Sequence, residues 1–448
     1  MPIPNNHKGT FFFHFTHIEN IESIVKNGLV CTNRKLKENI VHKNIAAEEI
    51  QHRRSEMDVT CAPFGKVHDY VPFYFTSRNP MFLSILLGKN IDQQFLVFFA
   101  VPIEKITESN VVFTDSSANT NNPPNFYNDP SNLDSLNWKA INSNKWSTVD
   151  EDEKHQKMAE VLILDEAPLD WIDTIIVWNE NVKKEIIRIF EKYKIPCPKI
   201  SYEPFNRKYF YYTKFQLGRD TESLITGPNF LKKRLDDLIN NIIRSRIKKR
   251  KKYLFNDVEE FLEKVEDDFC ILQELKDVFE LETDNSIHQK NVSDHTTQVV
   301  ECLQELDEYE NSNSKDQDIL KISAYLHDIG KGPKSKWNWN KGIQKAYPDH
   351  PADAIPMLER ILIEDFENIT EEEIRKICLL VVYHDLVGDI ICRGRDIQQI
   401  INIVKDENEL NLLIALSLAD VSSINETWAD NIKEEVNDFK KKVLAELK

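Results

Sequence analysis

The sequence predicts a multidomain protein in which an α+β domain leads, through a helical connector, into an all-α domain. Three observations predict it. At 448 residues the chain is longer than a single hydrophobic core usually organises. The first half carries short apolar and aromatic runs of strand length. From about Phe230 the texture changes to the three-to-four spacing of buried helix faces. The expected boundaries are 1–215 for the α+β part, 216–285 for the connector and 286–448 for the all-α part.

The elements follow in order. Phe11–His17 (FFFHFTH) reads as a strand, and Asn20–Val25 as a helix stopped at Asn27-Gly28, because glycine accepts the left-handed backbone that closes a helix. Ile45–Arg54 reads as a further helix. Strands are expected at Tyr70–Phe75, Phe95–Val101, Glu160–Leu164 and Thr174–Trp178. Ser116–Asp150, rich in Asn, Ser, Asp and Pro, reads as a long irregular excursion, which inside a domain usually signals function or disorder. The basic run Ile243–Lys252 (IRSRIKKRKK) reads as a solvated helical linker, with contact to a phosphate backbone as the sharper alternative. From His295 onward every segment reads as helical, and no internal repeat is evident.

Composition narrows the class. The net charge of −17 argues against a nucleic-acid partner only until its distribution is examined. Residues 1–215 carry 25 basic and 27 acidic side chains, so almost all the excess lies beyond them, and a neutral half can still present a local basic groove. Seven cysteines without a CxxC pair argue against a disulfide framework or a cysteine zinc site and favour a reducing, cytoplasmic setting. The polar N-terminus lacks a secretory plan, and no apolar run reaches the ~20 residues of a membrane span.

In the last third, His295, the pair His327-Asp328, His350, His384 and Asp420 stand out. His384 shares a helix face with Ile374, Ile377 and Val381, and Asp420 with Leu413 and Leu416. Each alone would be an ordinary core histidine or cap. Together, imidazoles and carboxylates facing inward from separate helices suit one or two divalent ions such as Mn, Fe or Mg, able to activate water against a phosphoester. The text DHTTQVV, AYLHDIGKG, YPDHPADA, VVYHDLV and SLADVSS resembles the HD superfamily of metal-dependent phosphohydrolases over roughly residues 290–425. The resemblance implies that His295, His327, Asp328 and Asp420 bind a first metal and that His350 and His384 complete a second site. Lys331, Arg393 and Arg395 are candidates for a substrate phosphate, and the substrate itself is not readable.

The N-terminal half offers less by itself. His14 lies in the aromatic strand, Arg53-Arg54 ends a helix, and Glu160 opens a strand after the long loop. No glycine-rich phosphate loop is present, which disfavours a Walker or Rossmann site. The set FHFTHIENIESIVKNGL, IQHRRSEMDV, HDYVPFYFTSRNPM, VVFTD, LNWKAI and KHQKMAEVLIL, in unbroken order over residues 8–215, resembles DarT, the DNA ADP-ribosyltransferase toxin family. What the resemblance implies is NAD⁺ held in a cleft between two small sheets, with single-stranded DNA as acceptor. His14 and Thr16 would bind the nicotinamide riboside end. Arg54 would contact the phosphates and stabilise the leaving group, Tyr74 or Tyr70 would pack on nicotinamide, and Glu160 would be the catalytic acid/base. The long loop would recognise the substrate, with Phe126, Tyr127, Trp138 and Trp146 as surfaces for unpaired bases.

The leading reading is therefore NAD-dependent mono-ADP-ribosylation of a base in single-stranded DNA, of toxin or phage-defence type, with a fused HD phosphohydrolase. A cognate antitoxin is the protein partner considered, and no membrane partner is expected. The alternative makes the HD part the main activity and the first half a nucleic-acid-binding module. A third, non-enzymatic reading is a scaffold that offers its acidic surface to an antitoxin. A pure binding module has no chemical need for Glu160, which favours the first reading.

Overall fold

The computed structural model describes residues 2–45, 48–119, 122–143, 150–202, 207–248, 252–284 and 290–447. The chain forms two compact units, Met1–Leu87 with Ile91–Leu224, and Gly88–Asn90 with Ile225–Lys448. Among the described residues no helix is long and apolar enough to cross a membrane.

The first unit is built on an eight-stranded sheet. Its strands are β1 (Phe11–His17), β2 (Tyr70–Tyr74), β3 (Leu96–Pro102), β4 (Val111–Thr114), β5 (Phe126–Tyr127), β6 (Glu160–Leu164), β7 (Thr174–Ile176) and β8 (Lys199–Ser201). They lie in the order β8-β7-β3-β1-β2-β6-β4-β5, antiparallel except for the β7–β8 pair. Side chains alternate across a strand, so one face of each can be committed to a core. Val71 and Phe73 of β2 join Phe12, Val97, Phe99, Val161 and Ile163 in the main core, while Tyr70 and Tyr74 fall on the opposite face. β1 pairs with β3 along its whole length, from Phe11↔Pro102 to His17↔Leu96, but with β2 at only one register position, Phe13↔Tyr74. The sheet therefore parts between its two halves at β1 and β2.

Helix α1 (Ile21–Asn27) buries Ile21, Ile24 and Val25 and ends at Gly28, whose φ of 89° a side chain would resist. α2 (Thr32–Lys37) and α3 (Glu48–Glu56) follow. α4 (Glu180–Tyr193) packs on α1 through Val182, Ile186, Ile189 and Phe190, the stripe that its helical period dictates.

The stretch 116–150 is largely irregular, as expected, but carries short elements. It holds β5, a 3₁₀ turn at Pro130–Ser135 and a short helix at Trp138–Ile141. Ala118, Leu133, Leu136, Ala140 and Ile141 are buried, so scattered apolar side chains order a segment whose composition is polar. Residues 120–121 and 144–149, Trp146 among them, lie outside the described residues.

The second unit is helical: α5 (Pro228–Arg246), α6 (Val292–Gln304), α7 (Ser314–Leu326), α8 (His350–Glu364), α9 (Glu371–Tyr383), α10 (Leu386–Arg393), α11 (Glu407–Ile424) and α12 (Glu426–Glu446) are its principal elements. One small exception to the all-helical expectation is a parallel pairing of Thr283–Asp284 with Gln344–Lys345. Within the stretch expected as a connector, α5 buries Leu231, Leu235, Leu238 and Ile242 against α8 and α9. In the basic run, Arg246 is spent on the carbonyls of Leu362, Phe366 and Glu367, and residues 249–251 lie outside the described set.

Candidate functional sites

Where β1 and β2 part, the first unit has a cleft of about 400 Å³. It is lined by His14, Thr16, Arg54, Tyr70 and Tyr74 among others, so five of the six residues expected to bind NAD⁺ or act in catalysis face one space. The sixth, Glu160, is fully buried beside it and is reached through Arg54.

Each side chain is placed by its strand or helix. His14 Nδ1 donates to the Pro72 carbonyl at 2.8 Å, a side-chain bond across the seam where the ladder is missing. Burial lowers its pKa to about 4, so the ring is neutral at pH 7 and Nε2 is left as an acceptor. Thr16 Oγ1 accepts from Asn20 Nδ2 at 3.0 Å. Tyr74 lies opposite Glu160 in the β2–β6 register, and burial raises its pKa. Tyr70 is almost fully buried and donates its hydroxyl to the Phe64 carbonyl at 2.6 Å, which fits a wall of the site better than a group free to move onto a ligand.

Glu160 opens β6 and directs its carboxylate at α3. Arg54 Nη1 and Nη2 donate to its two oxygens at 2.8 and 2.9 Å, and the Ala118 amide donates to Oε1 at 2.9 Å. Burial works to lower the Arg54 pKa, but the Glu160 carboxylate outweighs it and the net shift is upward. This fork-to-fork geometry fixes both carboxylate oxygens. The aromatics expected to receive bases are placed otherwise: Phe126 is buried, Tyr127 stacks on Phe113 at 5.4 Å, and Trp138 stacks on His7 at 4.4 Å while its Nε1 donates to Leu133 O. These contacts pack the loop against its own unit, while Tyr127 and Trp138 stay partly exposed.

In the second unit all six expected residues converge. His295 and His327 approach at Nε2 to 3.3 Å, with Asp420 Oδ1 3.1 Å from the former. His350 and His384 approach at Nε2 to 3.0 Å. Asp328 joins the groups: Oδ2 lies 3.3 Å from His327 and Oδ1 3.1 Å from His350. Behind the rings, Nδ1 of His327, His350 and His384 donates to the carbonyls of Ala324, Tyr347 and Val381 at 2.7, 2.7 and 2.8 Å, and His295 Nδ1 meets Ser423 Oγ at 3.0 Å. These bonds leave Nε2 of each ring turned inward as a donor to a cation, which is how metal-binding histidines are held. His295, His327 and Asp420 form one compact group and Asp328, His350 and His384 another. Four imidazoles with two carboxylates fit Mn or Fe better than an all-oxygen ion such as Mg.

Two residues near this site gave no signal of their own in the sequence. Asp385 forms a further group with His384 and Asp420. Lys89, from the Gly88–Asn90 segment of this unit, places Nζ 3.3 Å from Asp389 Oδ2 and 3.7 Å from Asp385 Oδ2. Of the expected phosphate contacts, Lys331 is bonded to Asp328, Arg395 is buried against Asp389 and Gln399, and Arg393 lies over Trp428.

Two family models match, one described as ssDNA thymidine ADP-ribosyltransferase, DarT, over residues 13–211, and one as HD domain over residues 292–423. A DNA ADP-ribosyl transferase of Escherichia coli is 31% identical over 192 residues, covering 40% of this chain and 86% of that protein. This chain belongs to the DarT family. A second relative, a DNA ADP-ribosyl transferase of Thermus aquaticus, is 29% identical over 219 residues, 48% of this chain and 91% of its own. The structure of Thermus sp. 2.9 DarT in complex with NAD⁺ is similar over 47% of this chain and 100% of that one, at 25% identity and a TM-score of 0.40. The DarT match encloses the cleft with Arg54 and Glu160, and the HD match encloses every residue of the histidine–aspartate cluster.

Proposed function

We propose that the DarT unit transfers ADP-ribose from NAD⁺ to a base of single-stranded DNA, with Glu160 as the catalytic carboxylate. The observation that carries this reading is the buried Arg54–Glu160 pair at the edge of the cleft that His14, Thr16 and Tyr74 line. In the reaction the bond from nicotinamide nitrogen to ribose C1′ breaks, and its electron pair leaves with nicotinamide, which becomes neutral. C1′ takes on oxocarbenium character, which an oriented carboxylate stabilises. A base nitrogen attacks C1′, and Glu160 receives the proton that this nitrogen gives up. Arg54 holds the carboxylate in place, and neutral His14 offers Nε2 as an acceptor at the nicotinamide riboside end. Paired bases cost a few kcal/mol to extract, hence the preference for single strands. The DarT description makes thymidine the first base to test.

The HD unit, on this account, binds one or two divalent metals through His295, His327, Asp328, His350, His384 and Asp420 and hydrolyses a phosphoester. The bound metal would lower the pKa of a water and polarise the phosphoryl group. Asp328, within reach of both histidine groups, would help hold the metal on either side. Covalent damage to DNA suits a cytoplasmic toxin or phage-defence effector, and such an enzyme needs a restraint in its own cell, for which a cognate antitoxin is the natural form.

The test is nicotinamide release from NAD⁺ by the full-length protein. Release stimulated by single-stranded DNA, and not by duplex, supports the transferase. DNA-independent release, or none, removes it and leaves the HD activity as the main one.

A further inference from the structure

Three basic side chains line the DarT cleft: Lys35, Lys43 and Arg54. Two of them are already neutralised. Lys43 Nζ pairs with Glu19 Oε1 at 2.9 Å, and both Nη groups of Arg54 are committed to Glu160. The Lys35 ammonium has no hydrogen bond or ion pair with any described residue; only its backbone N–H and C=O are bonded, to Cys31 O and Ile40 N. It is also not loose on the surface. Its helix, α2, is clamped to the end of β6: the Cys31 amide donates to Asp165 O at 2.7 Å, and Arg34 pairs with Glu38, Asp165 and Glu166. The neighbouring arginine thus carries the outward ion pairs while Lys35 turns inward. Its charge is felt by His14, His42 and His68, each of which also lines the cleft, and burial lowers its own pKa.

A half-buried ammonium without a counter-charge is unfavourable, and a ligand that brings negative charge removes that cost. We propose that Lys35 holds the pyrophosphate of NAD⁺ in this chain, leaving Arg54 to position Glu160. The proposal rests on the reading of the cleft as an NAD⁺ site. NAD⁺ carries two negative charges at its pyrophosphate, between two nucleosides that the apolar and hydroxyl-bearing walls suit. A DNA phosphate offers the same chemistry, and binding of the two partners separately distinguishes them.

The experiment compares full-length wild type, Lys35→Met and Lys35→Arg. NAD⁺ binding is measured by calorimetry without DNA. Nicotinamide riboside, which has the same nicotinamide end and no pyrophosphate, serves as the control ligand. Lys35→Met is expected to weaken NAD⁺ roughly tenfold or more, the scale of one charge-assisted hydrogen bond. It should leave nicotinamide riboside within about twofold, raise KM for NAD⁺ more than it lowers kcat, and be largely rescued by Lys35→Arg. Retained riboside binding also certifies the fold of the variant. Unchanged NAD⁺ affinity in Lys35→Met, or weakened binding of single-stranded DNA alone, overturns the assignment. Wild type that binds neither NAD⁺ nor nicotinamide riboside overturns the reading of the cleft itself, a different result from a Lys35 variant indistinguishable from wild type.

Discussion

Glu160→Gln changes one atom and should reveal how the site is held together. In the native unit the Glu160 carboxylate accepts two bonds from Arg54 at 2.8 and 2.9 Å and one from Ala118 N, with no solvent exposure. A glutamine of the same shape keeps one acceptor and turns an NH₂ toward a guanidinium that is itself buried. Removing one partner of a buried pair costs about 3–5 kcal/mol, because the remaining charge is stranded. For a unit of this size each kcal/mol moves the midpoint by ~2–4 °C, so at least ~6 °C is expected. Differential scanning calorimetry of the full-length protein reads this as a shift in the DarT transition, leaving the HD transition in place. Arg54→Met with Glu160→Met in the same chain should recover most of the lost stability, since no charge is then stranded, yet remain inactive. A Glu160→Gln protein melting within about 2 °C of wild type would refute the reasoning.

Further predictions concern metal and pH. Asp328→Ala should lower bound divalent metal, measured by inductively coupled plasma mass spectrometry, because Asp328 reaches both histidine groups, and NAD⁺ turnover should stay within about twofold. Full metal content in that variant would remove Asp328 from the ligand set. Burial, the largest cause for both, holds His14 and His17 near a pKa of about 4 against an ordinary 6.5. Below 6.5 the unfolded chain binds protons that the folded unit refuses, so the contribution of each, up to ~3 kcal/mol, is complete above pH 6.5 and lost as pH falls toward 4. Urea midpoints of the DarT transition at pH 7.5, 6, 5 and 4.5 should fall accordingly, and His14→Gln should flatten part of that slope. An unaltered slope in His14→Gln would contradict the neutral-ring assignment.

Strands were legible where apolar and aromatic runs of strand length stood out. Glu160–Leu164 was expected as β6 and is found with those bounds, and β1 likewise, because aromatic and β-branched runs admit few other conformations. The histidine–aspartate cluster was legible because its members recur at helical spacing on apolar faces. Asp385 adjoins His384 but was not legible, since a carboxylate at a helix exit carries no periodic signal. Lys35, within the polar stretch TNRKLK, has none either; only the clamp on Arg34 shows which way it turns. The Arg54–Glu160 bond joins residues 106 apart, one on α3 and one on β6, and follows from no local pattern. The 116–150 stretch is largely irregular, as its composition suggests, but its anchors Leu133, Leu136 and Ile141 were not legible because they recur without a period.

The most direct test of the central claim is to incubate the full-length protein with NAD⁺ and single-stranded oligonucleotides and weigh the DNA by mass spectrometry. The account predicts a gain of one ADP-ribose on thymidine-containing strands, absent with Glu160→Ala. No gain on any single-stranded DNA, or an undiminished gain with Glu160→Ala, would contradict it.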